Sequence, residues 1–269
     1  MFEIRSRKPH RALSPVISVF TERRGFFRDI SVVRPLHARP QQFMEFYLAE
    51  PYQVEDEGQG FSATPQAVLV GPCLSPGKRL GFLGELVTFT IHFRPTGLSR
   101  LFNLPMTDIA DQAFDASDVL GPGLVHLDHA LRRARTFEAR IEAAEQWMFD
   151  RISSARPRDG VDWVAGLLAR SGGRIPIEHL ADRAGLSARQ LQRRFLADVG
   201  TAPKQYARLH RFSALLEARR RAPDRPWADL ALDHGFSDQA HLIRETRSLA
   251  GVTPEALIRQ LLAIPERNT

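Results

Sequence analysis

The chain has 269 residues, enough for two domains with separate cores, and its 43% hydrophobic and 25% charged content is that of an ordinary globular protein. A single cysteine excludes an internal disulfide, and neither an eighteen-residue apolar run nor a secretory leader is present, so a cytoplasmic protein without membrane contact is expected. The net charge of +6 is uneven: residues 157–269 hold 18 Lys or Arg against 13 Asp or Glu, and residues 1–156 hold 19 against 18, so the basic surplus sits in the C-terminal part, where a polyanion would be met.

Up to about residue 120, short apolar stretches at 16–20, 43–48, 67–70 and 86–93 alternate with the turn signals Pro35, Pro40, Pro51, Pro65, Gly71-Pro72, Pro76-Gly77 and Pro95. The run from Leu86 to Phe93 is β-branched and aromatic, with near-strict alternation at its end, and predicts a strand. Residues 1–123 therefore read as a small β-rich barrel or sandwich, and the whole chain as α+β with an all-α C-terminal half. A short helix is expected after Phe93, then an amphipathic segment from Asp108 to Asp118, closed by Gly121-Pro122-Gly123. Residues 124–156 have helical periodicity, predicting a connector of two helices split near Arg135-Thr136. They could form a dimer seam or pack on the β-rich part, the commoner outcome. The polar stretch 153–160 marks a domain boundary.

Residues 157–269 begin with a helix over 161–171, ended by Gly172-Gly173. From Ile177 to Phe195 two short helices flank a turn at Gly185, with Ser187 and Gln190 placed for a capping box. Leu191 and Phe195 point inward, while Arg189 and Arg193 share the opposite face with Gln190 and Gln192 at its flanks. Guanidinium suits guanine and Gln suits adenine in a major groove, so this reads as a helix-turn-helix recognition unit. The pattern returns: Gly185-Leu186-Ser187 recurs fifty positions on as Gly235-Phe236-Ser237, and Gly200 to Pro203 recurs fifty-one on as Gly251 to Pro254. The extra residue is expected inside the second helix, with Asp238 in its first turn and Ala240, Arg244 and Arg247 facing out beside His241. Between the copies, 203–221 reads as a helical strut with Tyr206, Leu209, Phe212 and Leu216 as its apolar stripe.

This doubled pattern over about 161–262, with Gly235 to His241 and Gly251-Val252-Thr253-Pro254 as its strongest signatures, resembles the AraC-type bacterial transcription regulators. The strand-Phe93-Arg94-Pro95-helix passage more loosely resembles the sensing or dimerising domain often found ahead of such heads. The resemblance implies base reading by Arg189, Gln190, Gln192 and Arg193 in the first head and by Gln239, Ala240, His241, Ile243 and Arg244 in the second. Phosphate contacts would come from Ser187, Arg194, Lys204, Arg208, Ser237 and Arg247. It implies double-stranded DNA as partner and no cofactor, and it leaves RNA polymerase, a small-molecule effector and a second copy of the chain open as further partners. Two departures stand out: Thr246 replaces the usual large aromatic, and Ala202 replaces the Ser or Thr before Pro203, losing a helix cap.

A DNA-tethered enzyme or metal-binding N-terminal domain is the alternative. His37 and His92 are scattered rather than spaced as ligands, and His126 and His129 lie three apart on a helix. Cys73 sits in a turn-rich loop with no base apparent, and Glu55, Asp56 and Glu57 read as a solvated loop. No catalytic or metal-ligating motif is present, so no enzyme is expected.

Overall fold

The computed structural model describes residues 2–56, 59–262 and 266–268. The N-terminal part carries β1 (Phe2–Arg7), β2 (Ile17–Pro35), β3 (Phe43–Tyr47), β4 (Gln53–Glu55), β5 (Phe61–Ala63), β6 (Ala67–Val70) and β7 (Arg79–Phe93). There follow α1 (Gly97–Phe102), α2 (Met106–Ile109), β8 (Ala113–Asp115), α3 (Ala116–Leu120), α4 (Gly123–Arg133) and α5 (Phe137–Ile152). The C-terminal half is α6 (Gly160–Arg170), α7 (Glu178–Arg183), α8 (Ala188–Val199), α9 (Pro203–Arg221), α10 (Trp227–Asp233), α11 (Gln239–Ala250) and α12 (Pro254–Leu262), then β9 (Glu266–Asn268).

The strands form one sheet in the order β8-β6-β3-β7-β2-β1-β9, with β4 paired to β5 and β7. Only the β1–β9 pair is parallel among these pairings. Its spine is β2 against β7, in register from Ile17↔Phe93 to Pro35↔Arg79 with two shifts, so the predicted strand starts seven residues earlier than its apolar run suggests. The segment expected to be amphipathic over 108–118 is instead broken at Asp111, which has φ 59°, and then adds β8 to the edge of β6. Pairing to a free edge overrides local periodicity there.

Because side chains alternate along a strand, the sheet has two unlike faces. Met44, Phe46, Leu69, Phe89, Ile91 and Phe93 face one core, which also takes in Leu124, Leu127 and Leu131 of α4 and Phe137, Ile141, Ala144 and Met148 of α5. The two connector helices thus pack on the sheet. Thr136 caps α5, and buried Arg140 ties that helix to Glu22 of β2. The opposite face carries Glu45, Thr88 and Thr90, which are buried, and His92, which is half-buried.

The C-terminal half contains two separate cores. One gathers α6, α7, α8 and the start of α9 around Phe195 and Tyr206. The other gathers the rest of α9 with α10, α11 and α12 around Phe212, Trp227 and Phe236. The buried stripe of α9 runs Tyr206, Leu209, Phe212 and Leu215, rather than ending at Leu216, which is half-buried. Polar bonds join the first of these cores to the N-terminal part: Thr96 Oγ1 donates to Asp162 at 2.5 Å, and Arg100 lies 3.4 Å from the same carboxylate. Arg156 bonds Asp159 at 2.6 Å and Asp198 at 2.9 Å. Among the described residues no helix is long and apolar enough to cross a membrane.

Candidate nucleic-acid interface and the cavity behind it

The helices α8 and α11 are twelve residues each and are built alike. Each turn before them is made by a glycine with positive φ, Gly185 at +67° and Gly235 at +75°. Ser187 caps α8 in a full capping box: its Oγ accepts from Gln190 N–H at 3.2 Å, and its own N–H donates to Gln190 Oε1 at 2.9 Å. In the second copy Ser237 is passed over and Asp238 is the cap, accepting from His241 N–H at 2.6 Å. The one-residue difference between the copies therefore lies in the turn, not inside the helix as the spacing suggested. With Gly200 and Gly251 as left-handed C-caps, Arg189 matches Ala240, Gln192 matches Ile243 and Arg193 matches Arg244. Phe195 matches Thr246, which is fully buried and bonds back to the Leu242 carbonyl at 2.9 Å.

Arg189, Gln190, Gln192 and Arg193 are exposed on α8, as are Gln239, Ala240 and Arg244 on α11. Ile243 and His241 are half-buried, and the His241 ring folds back on Phe236 and accepts from Ser237 N–H at 3.2 Å. Gln190 reaches a base only by leaving its cap. Among the described residues, Arg189, Arg193, Arg244 and Arg247 make no ion pair, so their guanidinium groups stand ready for an outside acceptor.

On the polar face of the sheet lies a cavity of about 430 Å³ that sequence reasoning missed. Its walls alternate out of the strands: Phe43, Glu45 and Tyr47 from β3, Val68 and Val70 from β6, Leu80, Phe82 and His92 from β7. The signal was a polar residue at every second strand position, Thr88, Thr90 and His92 between buried Val87, Phe89, Ile91 and Phe93, which a wholly apolar interior does not need. Four cations, Arg23, Arg34, Arg39 and Lys78, face two carboxylates, Glu45 and Asp111. Both carboxylates are already engaged. Glu45 meets Arg23 at 3.2 Å and accepts from Thr90 at 2.8 Å, and Asp111 accepts from Leu74 N–H at 2.6 Å. Arg39 makes no ion pair among the described residues, and only the Phe43 ring lies under it, 5.5 Å away.

Both cavity histidines are held neutral. Burial first, then the charges of Arg39 and Arg34, takes His37 down to about 3, and burial with Arg23 and Arg39 does the same to His92. Buried His37 Nδ1 has no partner, whereas the His92 ring bonds Thr21 at 3.0 Å. Cys73 also lines the cavity, but burial pushes its thiol up, and its Sγ donates to the Ser75 carbonyl at 3.2 Å. His126 and His129 stand exposed on α4. Glu55 pairs with Arg79, Asp56 lies 3.6 Å from Lys78, and Glu57 lies outside the described residues. No group of three or more His, Cys, Asp or Glu that could hold a metal occurs among the described residues.

A helix-turn-helix domain family matches residues 180–260, which take in α8, α9, α10 and α11. Residues 180–260 are an AraC-type helix-turn-helix domain. No curated protein matches the chain. Among solved structures, ToxT from Vibrio cholerae is 11% identical, with 98% of each chain covered and a TM-score of 0.50. An apo form of ToxT from the same organism with one substitution is 11% identical over 95% of this chain and 100% of that one, with a TM-score of 0.51. Wild-type Vibrio cholerae ToxT bound to an unsaturated fatty acid is 10% identical over 99% and 97%, with a TM-score of 0.48. These likenesses concern the fold.

Within the AraC-type domain, two of the expected phosphate contacts have other work. The guanidinium of Arg194 is held by Asp159, and Arg208 forks onto Glu245 with both bonds at 3.0 Å. Arg208 thereby ties α9 to α11, and Arg194 ties α8 to the cap of α6. Lys204 and Arg247 are exposed, while the hydroxyls of Ser187 and Ser237 are engaged at the two turns. Ala202 gives α9 no side-chain cap; its counterpart Thr253 bonds Ala256 N–H at 3.4 Å.

Proposed function

We propose that this DNA-binding transcription regulator reads duplex DNA through both recognition helices, and that an anionic molecule with an apolar body, seated in the cavity, controls it. The observation that carries the first reading is the pair of like-built, capped helices, one presenting Arg189, Gln192 and Arg193 and the other Gln239 and Arg244, both packed on α9. Base contacts are assigned to Arg189, Gln192, Arg193, Gln239, Ala240, Ile243 and Arg244, and phosphate contacts to Lys204 and Arg247.

The ligand class follows from the cavity's chemistry. Arg39 offers a bidentate site for a carboxylate or phosphate, and Tyr47, Tyr52, Val54, Leu80 and Phe82 offer an apolar bed. The reading includes no catalytic step, a cytoplasmic location, and recruitment of RNA polymerase by the bound protein. A second copy of the chain is not required for two-site reading, since one chain already carries two heads.

Selection of tight-binding duplexes from a random pool by the full-length protein tests the DNA reading. Two short motifs about one helical turn apart support it, one motif alone restricts reading to a single head, and no enrichment refutes it. For the cavity, a series of straight-chain carboxylates and the matching alcohols are compared in thermal shift. Carboxylates should raise the melting temperature, alcohols should not, and Arg39→Ala should abolish the difference. Equal shifts from acid and alcohol would rule out Arg39 as the anchor.

A further inference from the structure

The chain segment between Pro35 and Phe43 touches both heads of the AraC-type domain. Ala38 is fully buried within the second head's core, and its N–H donates to the carbonyl of Leu249, in the last turn of α11, at 2.7 Å. Four residues on, buried Gln42 extends Nε2 to the carbonyl of Val199, the last residue of α8, at 3.3 Å, and to the Pro95 carbonyl at 2.8 Å. One short stretch thus holds the C-terminal carbonyls of both recognition helices.

The stretch is stiff. Proline at 35 and 40 fixes φ, and the residue before each is restricted to extended backbone. Arg39 and Cys73 exchange both backbone bonds, at 2.7 and 2.9 Å, which braces the middle of the segment against the 71–78 loop. The Gln42 carbonyl accepts from Phe93 N–H at 2.9 Å, which fixes its end to the sheet. Four residues span at most about 14 Å, and with only the Gln42 side chain and two hydrogen bonds added to that span, the helix ends cannot part far without breaking a bond. The neighbouring surfaces fit closely as well: a Cβ on Gly200 would come within 2.6 Å of the Met106 carbonyl, and Gly251 lies beside Pro76.

The heads otherwise have separate cores that share only α9, from which Arg211 reaches the carbonyls of both Gly173 and Gly235 at 3.4 and 3.1 Å. From this we infer that the 38–42 segment fixes the relative placement of the two recognition helices, and that Gln42 is a positioning residue that sets which half-site spacing the protein accepts. The inference rests on the two-headed reading above. It makes spacing selectivity a property of the N-terminal part, which supplies none of the base or phosphate contacts assigned above. It also gives the cavity a direct mechanical route to both heads, because Leu36, His37, Arg39 and Phe43 line it.

The test uses full-length protein and duplexes carrying its selected pair of motifs, with the spacer stepped by single base pairs. The wild type should show one sharp optimum. Gln42→Leu, which keeps the volume and removes the donor, should lose roughly tenfold at that optimum, by lowering the second head's effective concentration at its site. Its affinity for a duplex with a single motif should stay within about twofold of wild type, which a general folding defect would not allow. Gln42→Asn, polar but one methylene too short, should show the same flattening and serves if the Leu variant does not fold. An unchanged spacing profile in the folded variants would overturn the inference while leaving two-headed reading intact. Tighter binding at every spacing would also overturn it, since the segment would then be a latch. A wild type indifferent to spacing would overturn both.

Discussion

Arg193 and Arg208 lie fifteen positions apart in the AraC-type domain, and their surroundings separate their effects. Arg193 is exposed with no ion-pair partner among the described residues, so Arg193→Ala should cost about 1–3 kcal/mol at one base position and relax preference there. Lys204, exposed at the start of the strut, should behave differently: Lys204→Ala weakens all sequences alike and lowers the slope of log affinity against log salt by about 0.9. Arg208 is spent on Glu245, and Arg208→Ala should leave the salt slope unchanged while lowering stability. A salt titration of the three variants separates these outcomes. A drop in slope for Arg208→Ala would show that its ion pair opens to reach phosphate.

At the scale of elements, two glycines with nearly the same backbone serve as a contrast. Gly173, with φ +69°, ends the approach from α6, and a Cβ there would lie 1.9 Å from the Ala207 carbonyl of α9. Gly185, with φ +67°, makes the turn between α7 and α8 and faces open space. Gly185→Ala should therefore cost only the left-handed backbone, about 1 kcal/mol, whereas Gly173→Ala must also part α6 from α9, costing roughly 3 kcal/mol or more. Urea unfolding at constant slope measures both. Equal costs would mean that the junction between α6 and α9 yields easily.

For the molecule as a whole, the buried histidines set the response to acid. His37 and His92 are held at about 3, and burial holds His210 at about 4, against the ordinary 6.5 of an unfolded chain. With folded values below unfolded ones, the folded state binds fewer protons, and its stability is full above pH 6.5 and declines as pH falls toward 4. Each histidine contributes a slope of about 1.4 kcal/mol per pH unit within that window. Denaturant midpoints should therefore drop steeply between pH 6.5 and 5, and His92→Gln should make the decline shallower. A flat profile in that window would mean that these rings are solvated.

The doubled helix-turn-helix was legible because its determinants are local. A capping residue, a glycine with positive φ and an apolar residue one turn on all lie within a dozen positions, so the sequence alone determined that two capped helices face outward with Arg189, Arg193 and Arg244. Even there, the placement of the one-residue difference needed coordinates, since Ser237 and Asp238 are both good caps and only packing chose between them. The β-rich class and the strand ending at Phe93 were also readable, from alternation. The single sheet, the edge strand β8 and the return of β9 to β1 were not, because strand partners are chosen by edges far away in the chain. The cavity and the Ala38–Gln42 bridge belong wholly to the tertiary structure. Arg23, Arg39, His37 and His92 are ordinary residues in ordinary strands and turns, and Gln42 is one amide among many. Only the fold brings them against one another, desolvates the histidines, leaves one guanidinium without a carboxylate and sets a single amide against the end of a recognition helix.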